Sequence, residues 1–298
     1  MDLKSNKVPA LAAFSEHLIP AVSCNLCGSL KRKEWARIEP IIAYKCDDCG
    51  LVYHDPQLTD KGRNLFYASG YFELQNDPAD ALARNKMYEV EINFLEKYAR
   101  CGKILDVGCG GGFLLNKFGS LWEKYGIEFD HSAVENARRV FNLDVKEGEA
   151  NEAVFPDVFF DVIVLRGVIE HMAEPKKMLK HLVRFLKSGG LLYITSTPNV
   201  ESLCAELYRE KWNLFTADHQ IHFPKRTIIE LGKELGMSLL DSAYFYLETP
   251  YSSEIEDYRK IIGDSNLIAV GKKDEASSSP AFYGNMFSLI FKKNSQNI

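Results

Sequence analysis

Leu105-Asp106-Val107-Gly108-Cys109-Gly110-Gly111-Gly112 reads as a buried strand that ends in a carboxylate and breaks into a glycine turn. A dinucleotide loop of the form G-x-G-x-x-G leaves the following helix N-terminus open for a pyrophosphate. Gly108 and Gly110 fit the start of that pattern, but Phe113 stands where the third glycine belongs and Gly112 comes one residue early. Asp106 discriminates further. A carboxylate fixed just before the turn repels a pyrophosphate and attracts a ligand that carries positive charge there. Glycines, having no Cβ, let the backbone approach such a ligand and adopt positive φ. A nucleoside bearing an ammonium and a sulfonium, S-adenosylmethionine, meets both demands.

Four further segments follow in order: Glu123-Lys124-Tyr125-Gly126-Ile127-Glu128; Glu147-Gly148-Glu149-Ala150; Phe160 to Leu165 with Arg166 to His171 behind it; and Leu186-Lys187-Ser188-Gly189-Gly190-Leu191-Leu192-Tyr193-Ile194. Together with the glycine turn they resemble the class I S-adenosylmethionine-dependent methyltransferases, most strongly over 102–196. The resemblance implies an α/β fold, a doubly wound seven-stranded Rossmann-like methyltransferase sheet. It places the cofactor against Asp106, Gly108, Gly110 and Gly112. Glu128, with Phe129, is expected at the ribose, about 20 residues after the turn as such acids stand. Glu149, where the family more often has Asp, and Ala150 are expected at the adenine, Arg166 is counted among the cofactor-binding residues, and the position of His171 lies beside the methyl donor in the family. Strands are expected near 103–107, 123–128, 143–147, 160–165, 190–196 and 238–246. For the last, antiparallel strand, 286–292 is favoured over 266–271.

Cys24-x-x-Cys27 and Cys46-x-x-Cys49 are separated by 18 residues, inside the window for a four-thiolate zinc site. Gly28 and Gly50 follow the second thiolate of each pair, where a glycine lets the backbone turn and donate amides to sulfur. So small a unit cannot stabilise itself by core burial, and a metal contributes much of its folding energy. Four cysteines close the coordination sphere, which makes the expected zinc structural rather than catalytic. Two disulfides are the competing reading, disfavoured in a reducing compartment. The chain therefore divides into an N-terminal segment (1–20), a zinc ribbon (21–56), a linker with a leading helix or lid (57–101), and a methyltransferase domain (102–298). Within the linker, Thr59 or Asp60 can cap a short helix, Tyr67 to Phe72 form an aromatic loop, and one long helix runs from Pro78 to Arg100.

The 298 residues suffice for two such units, and the net charge of −5 gives no basic footprint for nucleic acid. No apolar run approaches the roughly 20 residues of a membrane span, and no compact signal-peptide core opens the chain. A cytoplasmic location is expected, with the oligomeric state left open.

Methyl transfer is a displacement at an activated carbon, so proximity and orientation carry most of the catalysis. A base is needed when the acceptor is a hydroxyl, and histidine suits that role near neutral pH. His171 follows the fourth strand at its carboxyl end. His219 and His222 lie in Asp218-His219-Gln220-Ile221-His222-Phe223-Pro224, where relatives carry a histidine-bearing loop at the acceptor pocket. All three are candidate bases, whereas His54, just behind the ribbon, reads as structural. The leading expectation is methylation of a small-molecule acceptor, an oxygen on a sugar or secondary metabolite. A carbon or nitrogen acceptor is the close alternative. A nucleic-acid or protein modifier gripping its substrate through the ribbon, and a catalytically silent cofactor-binding partner, are the readings from other classes.

Overall fold

The computed structural model describes residues 11–68 and 78–295; Tyr71 and Phe72 of the expected aromatic loop lie outside them. The chain opens with β1 (Leu18–Ile19), β2 (Arg32–Ile38), β3 (Ile41–Cys46), β4 (Val52–Asp55) and β5 (Gln57–Leu58). Strands β2, β3 and β4 form an antiparallel meander with Arg32 opposite Cys46 and Tyr44 opposite Tyr53, which brings the two Cys-x-x-Cys turns to one end. Helix α1 (Asp60–Ala68) follows, and the Thr59 hydroxyl accepts a hydrogen bond from the Gly62 amide at 3.1 Å, so Thr59 is its cap. Helix α2 (Pro78–Leu95) is shorter than the sequence suggested. It closes where the Tyr98 amide donates to Leu95 O and the Arg100 guanidinium covers Glu96 O, a tightened last turn.

The remainder alternates β6 (Gly102–Val107), α3 (Phe113–Lys117), β7 (Trp122–Glu128), α4 (His131–Phe141), β8 (Asp144–Glu147), β9 (Phe160–Arg166), α5 (Pro175–Phe185) and β10 (Leu186–Pro198). Helix α6 (Leu203–Tyr208), β11 (Ile221–His222), α7 (Lys225–Glu234), β12 (Met237–Ala243), α8 (Glu254–Ala269) and β13 (Met286–Lys293) complete it. Seven strands form one sheet in the order β12-β13-β10-β9-β6-β7-β8. Only β13 runs antiparallel to its neighbours. The last strand is therefore the later of the two candidates, while Asn266 to Ala269 belong to α8.

Side-chain alternation assigns the two faces. Ile104, Val162, Val164, Leu191 and Tyr193 pack under α2, α3 and α4 through Leu95, Leu114 and Val134. Their neighbours Leu105, Val107, Ile163, Leu165, Leu192 and Ile194 pack under α5 and α7 through Leu182 and Leu231. With a period of two, Asp106, Arg166 and Thr195 emerge at the carboxyl edge on the α2 face. The chain moves outward from β6 to β7 and β8, then returns to β9 and β10 on the other side. That reversal opens a crevice above β6 and β9, where ligands of open α/β sheets bind.

The cysteine-bearing meander is not a free appendage. Strand β11, from the segment after β10, adds to its edge with Ile221 opposite Tyr53 and His222 opposite Val52. The His54 amide donates to Gln220 O at 2.9 Å. The His54 and His222 rings face each other at 5.5 Å, packed against Phe215 at 5.2 and 5.4 Å. Both are buried. Burial pushes His54 down to about 3 and His222 well below the ordinary histidine range.

In the unfolded chain both rings take up a proton near pH 6.5, while the folded chain keeps them neutral. Their contribution to stability is complete above pH 6.5 and is lost as the pH falls toward 3. Each histidine is expected to contribute a slope of about 1.4 kcal/mol per pH unit in that window. Urea titrations at pH 7, 6 and 5 check this: the unfolding free energy falls with pH, and falls less steeply in His54→Leu.

Candidate active site

Asp106, the penultimate residue of β6, is 2% exposed and leads into Gly108, Gly110 and Gly112, all at positive φ (66°, 52° and 81°). A Cβ on Gly108 would come within 2.8 Å of Val168, and one on Gly112 within 2.6 Å of Leu143. The turn is thus closed to side chains by both conformation and space. Glu128 ends β7 beside it. One of its carboxylate oxygens accepts the Gly110 amide at 2.9 Å; the other accepts the amides of Phe129 and Asp130 at 2.8 and 2.9 Å. Burial pushes Glu128 up, opposed by these amides. A carboxylate has about four acceptor sites, so three amides orient it and leave capacity for a hydroxyl.

Burial also pushes Asp106 up to about 8, against the lowering influence of Arg166. Arg166, the last residue of β9, donates from Nε to Glu91 at 2.6 Å and lies 4.7 Å over the Tyr88 ring. Glu91 is 1% exposed and also accepts the hydroxyls of Thr195 and Ser196. Although burial lowers the Arg166 affinity for its proton, Glu91 raises it more, and the guanidinium stays charged. The crevice is thus electrostatically graded: a neutralised Arg166–Glu91 pair on one flank and two carboxyls, Asp106 and Glu128, at the turn.

A nucleoside with positive charge at its far end fits this cradle. A family model described as a methyltransferase domain matches residues 75–242. The chain belongs to this methyltransferase family. An uncharacterised protein of Methanocaldococcus jannaschii is 24% identical over 186 residues, which cover 62% of this chain and 88% of the relative. A ubiquinone biosynthesis O-methyltransferase of Coxiella burnetii is 27% identical over 121 residues, 38% of this chain but only 49% of the relative. Among solved structures, a methyltransferase of Thermotoga maritima described as S-adenosylmethionine-dependent and a possible histamine N-methyltransferase has the same fold. It superposes with a TM-score of 0.53 at 17% identity, covering 76% of this chain and 98% of that one. The protein is an S-adenosylmethionine-dependent methyltransferase.

In the methyltransferase, the other expected cofactor residues lie on the segments that follow β7 and β8. Ala150 is buried after β8, and the Phe129 ring stands edge-on to Tyr67 at 5.5 Å. The carboxylate of Glu149 is engaged by the Arg63 guanidinium at 3.3 Å, which also reaches Asp60 at 3.1 Å. Helix α1 therefore lies against the segment expected at the adenine.

The histidines separate into two pairs. His171 and His219 face each other at 4.8 Å between ring centroids, next to Glu170. Nδ1 of His171 lies 2.8 Å from Asp218 O and 2.6 Å from the Tyr67 hydroxyl, and Nδ1 of His219 lies 2.8 Å from Leu214 O. A carbonyl only accepts, so in both of these contacts Nδ1–H is the donor. His222 lies 6.0 Å from His219 but is packed among Trp212, Phe215 and His54. Trp212 and Phe215 thus wall the junction with the meander.

The four ribbon cysteines converge. Cys24 Sγ is 3.5 Å from Cys49 Sγ, Cys27 Sγ is 3.6 Å from Cys46 Sγ, and all four sulfurs lie within 4.8 Å of one another. Sulfurs 2.3 Å from a tetrahedral zinc stand about 3.7 Å apart, whereas a disulfide needs about 2.05 Å. The Gly28 and Gly50 amides close each turn onto Cys24 O and Cys46 O at 2.9 Å.

Glu91, Tyr88 and Arg63 lie near these groups and were not singled out from sequence, while Tyr67, expected in the aromatic loop, lies in the last turn of α1. Glu91 had a legible signal: spacing of four from Met87 and from Leu95 places it on the buried side of α2.

Asp106 at about 8 is mostly protonated at pH 7, while the cofactor's ammonium favours the carboxylate. Binding S-adenosylhomocysteine at pH 7 is therefore expected to release about one proton, and affinity to rise from pH 6 to 8. Calorimetry in buffers of different ionisation enthalpy reads this directly, and Asp106→Asn abolishes the release.

Proposed function

We propose that the protein methylates a hydroxyl of a small-molecule acceptor, of the sugar or secondary-metabolite class, with His171 as the base and His219 as its neighbour. The observation that carries this reading is the placement of the two rings: each Nδ1 lies 2.8 Å from a backbone carbonyl, which gives Nδ1 the donor role and assigns the role of base to Nε2. S-adenosylmethionine supplies a methyl carbon already activated by sulfonium. The chain's part is to fix the cofactor's cationic end on Asp106, exclude water beneath α2, and take the hydroxyl proton on His171 Nε2 as the acceptor oxygen forms its bond to carbon. The Tyr67 hydroxyl, 2.6 Å from Nδ1, steadies the ring from α1. His222, the third candidate base, is assigned to the wall, because complete burial disfavours its protonated form. The acidic balance of the chain supports a small acceptor over a nucleic acid.

The test uses methyl-labelled cofactor with parallel panels of sugar, phenol and amine acceptors. Once an acceptor is found, His171→Ala is expected to lower kcat by about 100-fold or more while leaving S-adenosylhomocysteine affinity within about twofold. Equal activity of the variant on a hydroxyl acceptor would remove the histidine base. Turnover of amines alone would move the acceptor to nitrogen, since a neutral amine needs no base before attack.

The ribbon is assigned one structural zinc ion on Cys24, Cys27, Cys46 and Cys49, consistent with sulfur spacings of 3.5 and 3.6 Å. These thiols are free of disulfides, as in a cytoplasmic protein. Among the described residues no helix is long and apolar enough to cross a membrane. Elemental analysis is expected to give one zinc per chain, and Cys46→Ser to lose it together with several degrees of melting temperature. Cobalt substitution, read by thiolate charge-transfer bands, reports the four-sulfur sphere.

A further inference from the structure

Helix α8 lies between β12 and β13, at the carboxyl edge of the sheet. Its inward face carries acids. Asp257 accepts the Tyr246 hydroxyl at 2.7 Å, and Asp264 accepts the Tyr208 hydroxyl and the Lys260 ammonium, each at 2.7 Å. The outward face carries large apolar side chains. At 100° per residue, Ile255, Tyr258, Ile262 and Ala269 fall on one side together with Arg259 and Asn266, opposite Asp257, Ile261 and Asp264, and Val270 follows at the helix end. Ile255 is 66% exposed, Tyr258 50%, Ile262 61% and Val270 69%. Exposed apolar side chains of this size aligned on one side of a helix mark a covered face.

We infer that this stripe pairs with the same stripe on a second copy of the chain, antiparallel across a two-fold axis between Ile262 and Gly263. Shape and charge both single out a copy as the occupant. The first half of the stripe carries large side chains, Ile255, Tyr258, Arg259 and Ile262, and Tyr258 is fixed edge-on against Phe282 at 5.0 Å. The second half carries Gly263, Asn266 and Ala269, which leave room. Antiparallel pairing sets the bulky half of each helix over the small half of the other, and a two-fold axis satisfies both ends at once. It also brings Glu254, in the first turn, to Lys272 of the partner subunit, just past the last turn. Within its own chain Lys272 meets only a surface partner, Glu275, at 2.9 Å, with both side chains 56% exposed. Such a pair is weak and readily shared. Glu254 and Glu256 in the first turn disfavour an anionic membrane surface as the occupant. The 16-residue helix spans about 24 Å, so the contact is small against a standard interface of about 800 Å² per partner. A reversible dimer follows.

Sedimentation velocity of the zinc-loaded full chain, under reducing conditions and over about 1 to 100 µM, tests this. A concentration-dependent dimer is expected. Ile262→Glu should weaken it at least about tenfold with an unchanged melting temperature, since the side chain is largely outside the fold. E254K and K272E should each weaken it about threefold to tenfold, and the double variant E254K/K272E should return within about twofold of the native value. A chain that stays monomeric throughout the range overturns the inference. So does a dimer indifferent to Ile262→Glu, or a double swap that restores nothing. Binding of a monomer to anionic vesicles through Ile262 also overturns it, assigning the face to a membrane.

Discussion

One buried carboxylate organises the cofactor crevice. Glu91 sits beneath α2 with no access to water, and a charge so placed is tolerated only when its acceptor sites are filled. Arg166, Thr195 and Ser196 fill them from the carboxyl ends of β9 and β10, and Thr195 shares a hydrogen bond with Ser288 of β13 at 2.7 Å. Three strands and one helix are thereby fixed to one another. Ser196 adopts a φ of 54°, a conformation that costs a non-glycine residue about 1 kcal/mol, and its bond to Glu91 offsets that cost. The electrostatic effect is equally important. An unpaired guanidinium beside Asp106 would oppose any cationic ligand; paired with Glu91, Arg166 leaves the sign of the crevice to Asp106 and Glu128.

The sheet was legible because its signals are local. Short, nearly continuous apolar runs at 103–107, 160–165 and 190–196, each ending in a glycine turn or a polar residue, read as strands buried on both faces. Asp106 and Phe113 together distinguished the glycine turn from a dinucleotide loop without any tertiary knowledge. The four cysteines were legible for the same reason, since two spacings of two residues and one of 18 leave few geometries.

What escaped the sequence depends on contacts between distant segments. Nothing local distinguishes His222 from His219, three residues apart. Only the pairing of β11 with β4 turns His222 into the wall against His54 while His219 faces His171. Glu149 was expected at a ligand, yet its spatial neighbour is Arg63, 86 residues earlier. The end of α8 competes with a strand because Ile268 and Val270 favour strands locally, while the tyrosines that hold its buried acids, Tyr246 and Tyr208, lie in other segments.

The pairing of β11 with β4 also bears on how the chain is made. The three-stranded meander and its four cysteines leave the ribosome early, but the strand that covers its edge arrives roughly 170 residues later. At synthesis rates of about 5–20 residues per second, the β4 edge and the His54 ring stay uncovered for roughly 8 to 34 seconds. During that interval an exposed strand edge can pair with another nascent chain. Early capture of a metal by the thiols would rigidify the meander before its edge is covered. In a chain whose thiols stay unligated, misassembly would begin on the ribosome, before the strand that covers the edge exists.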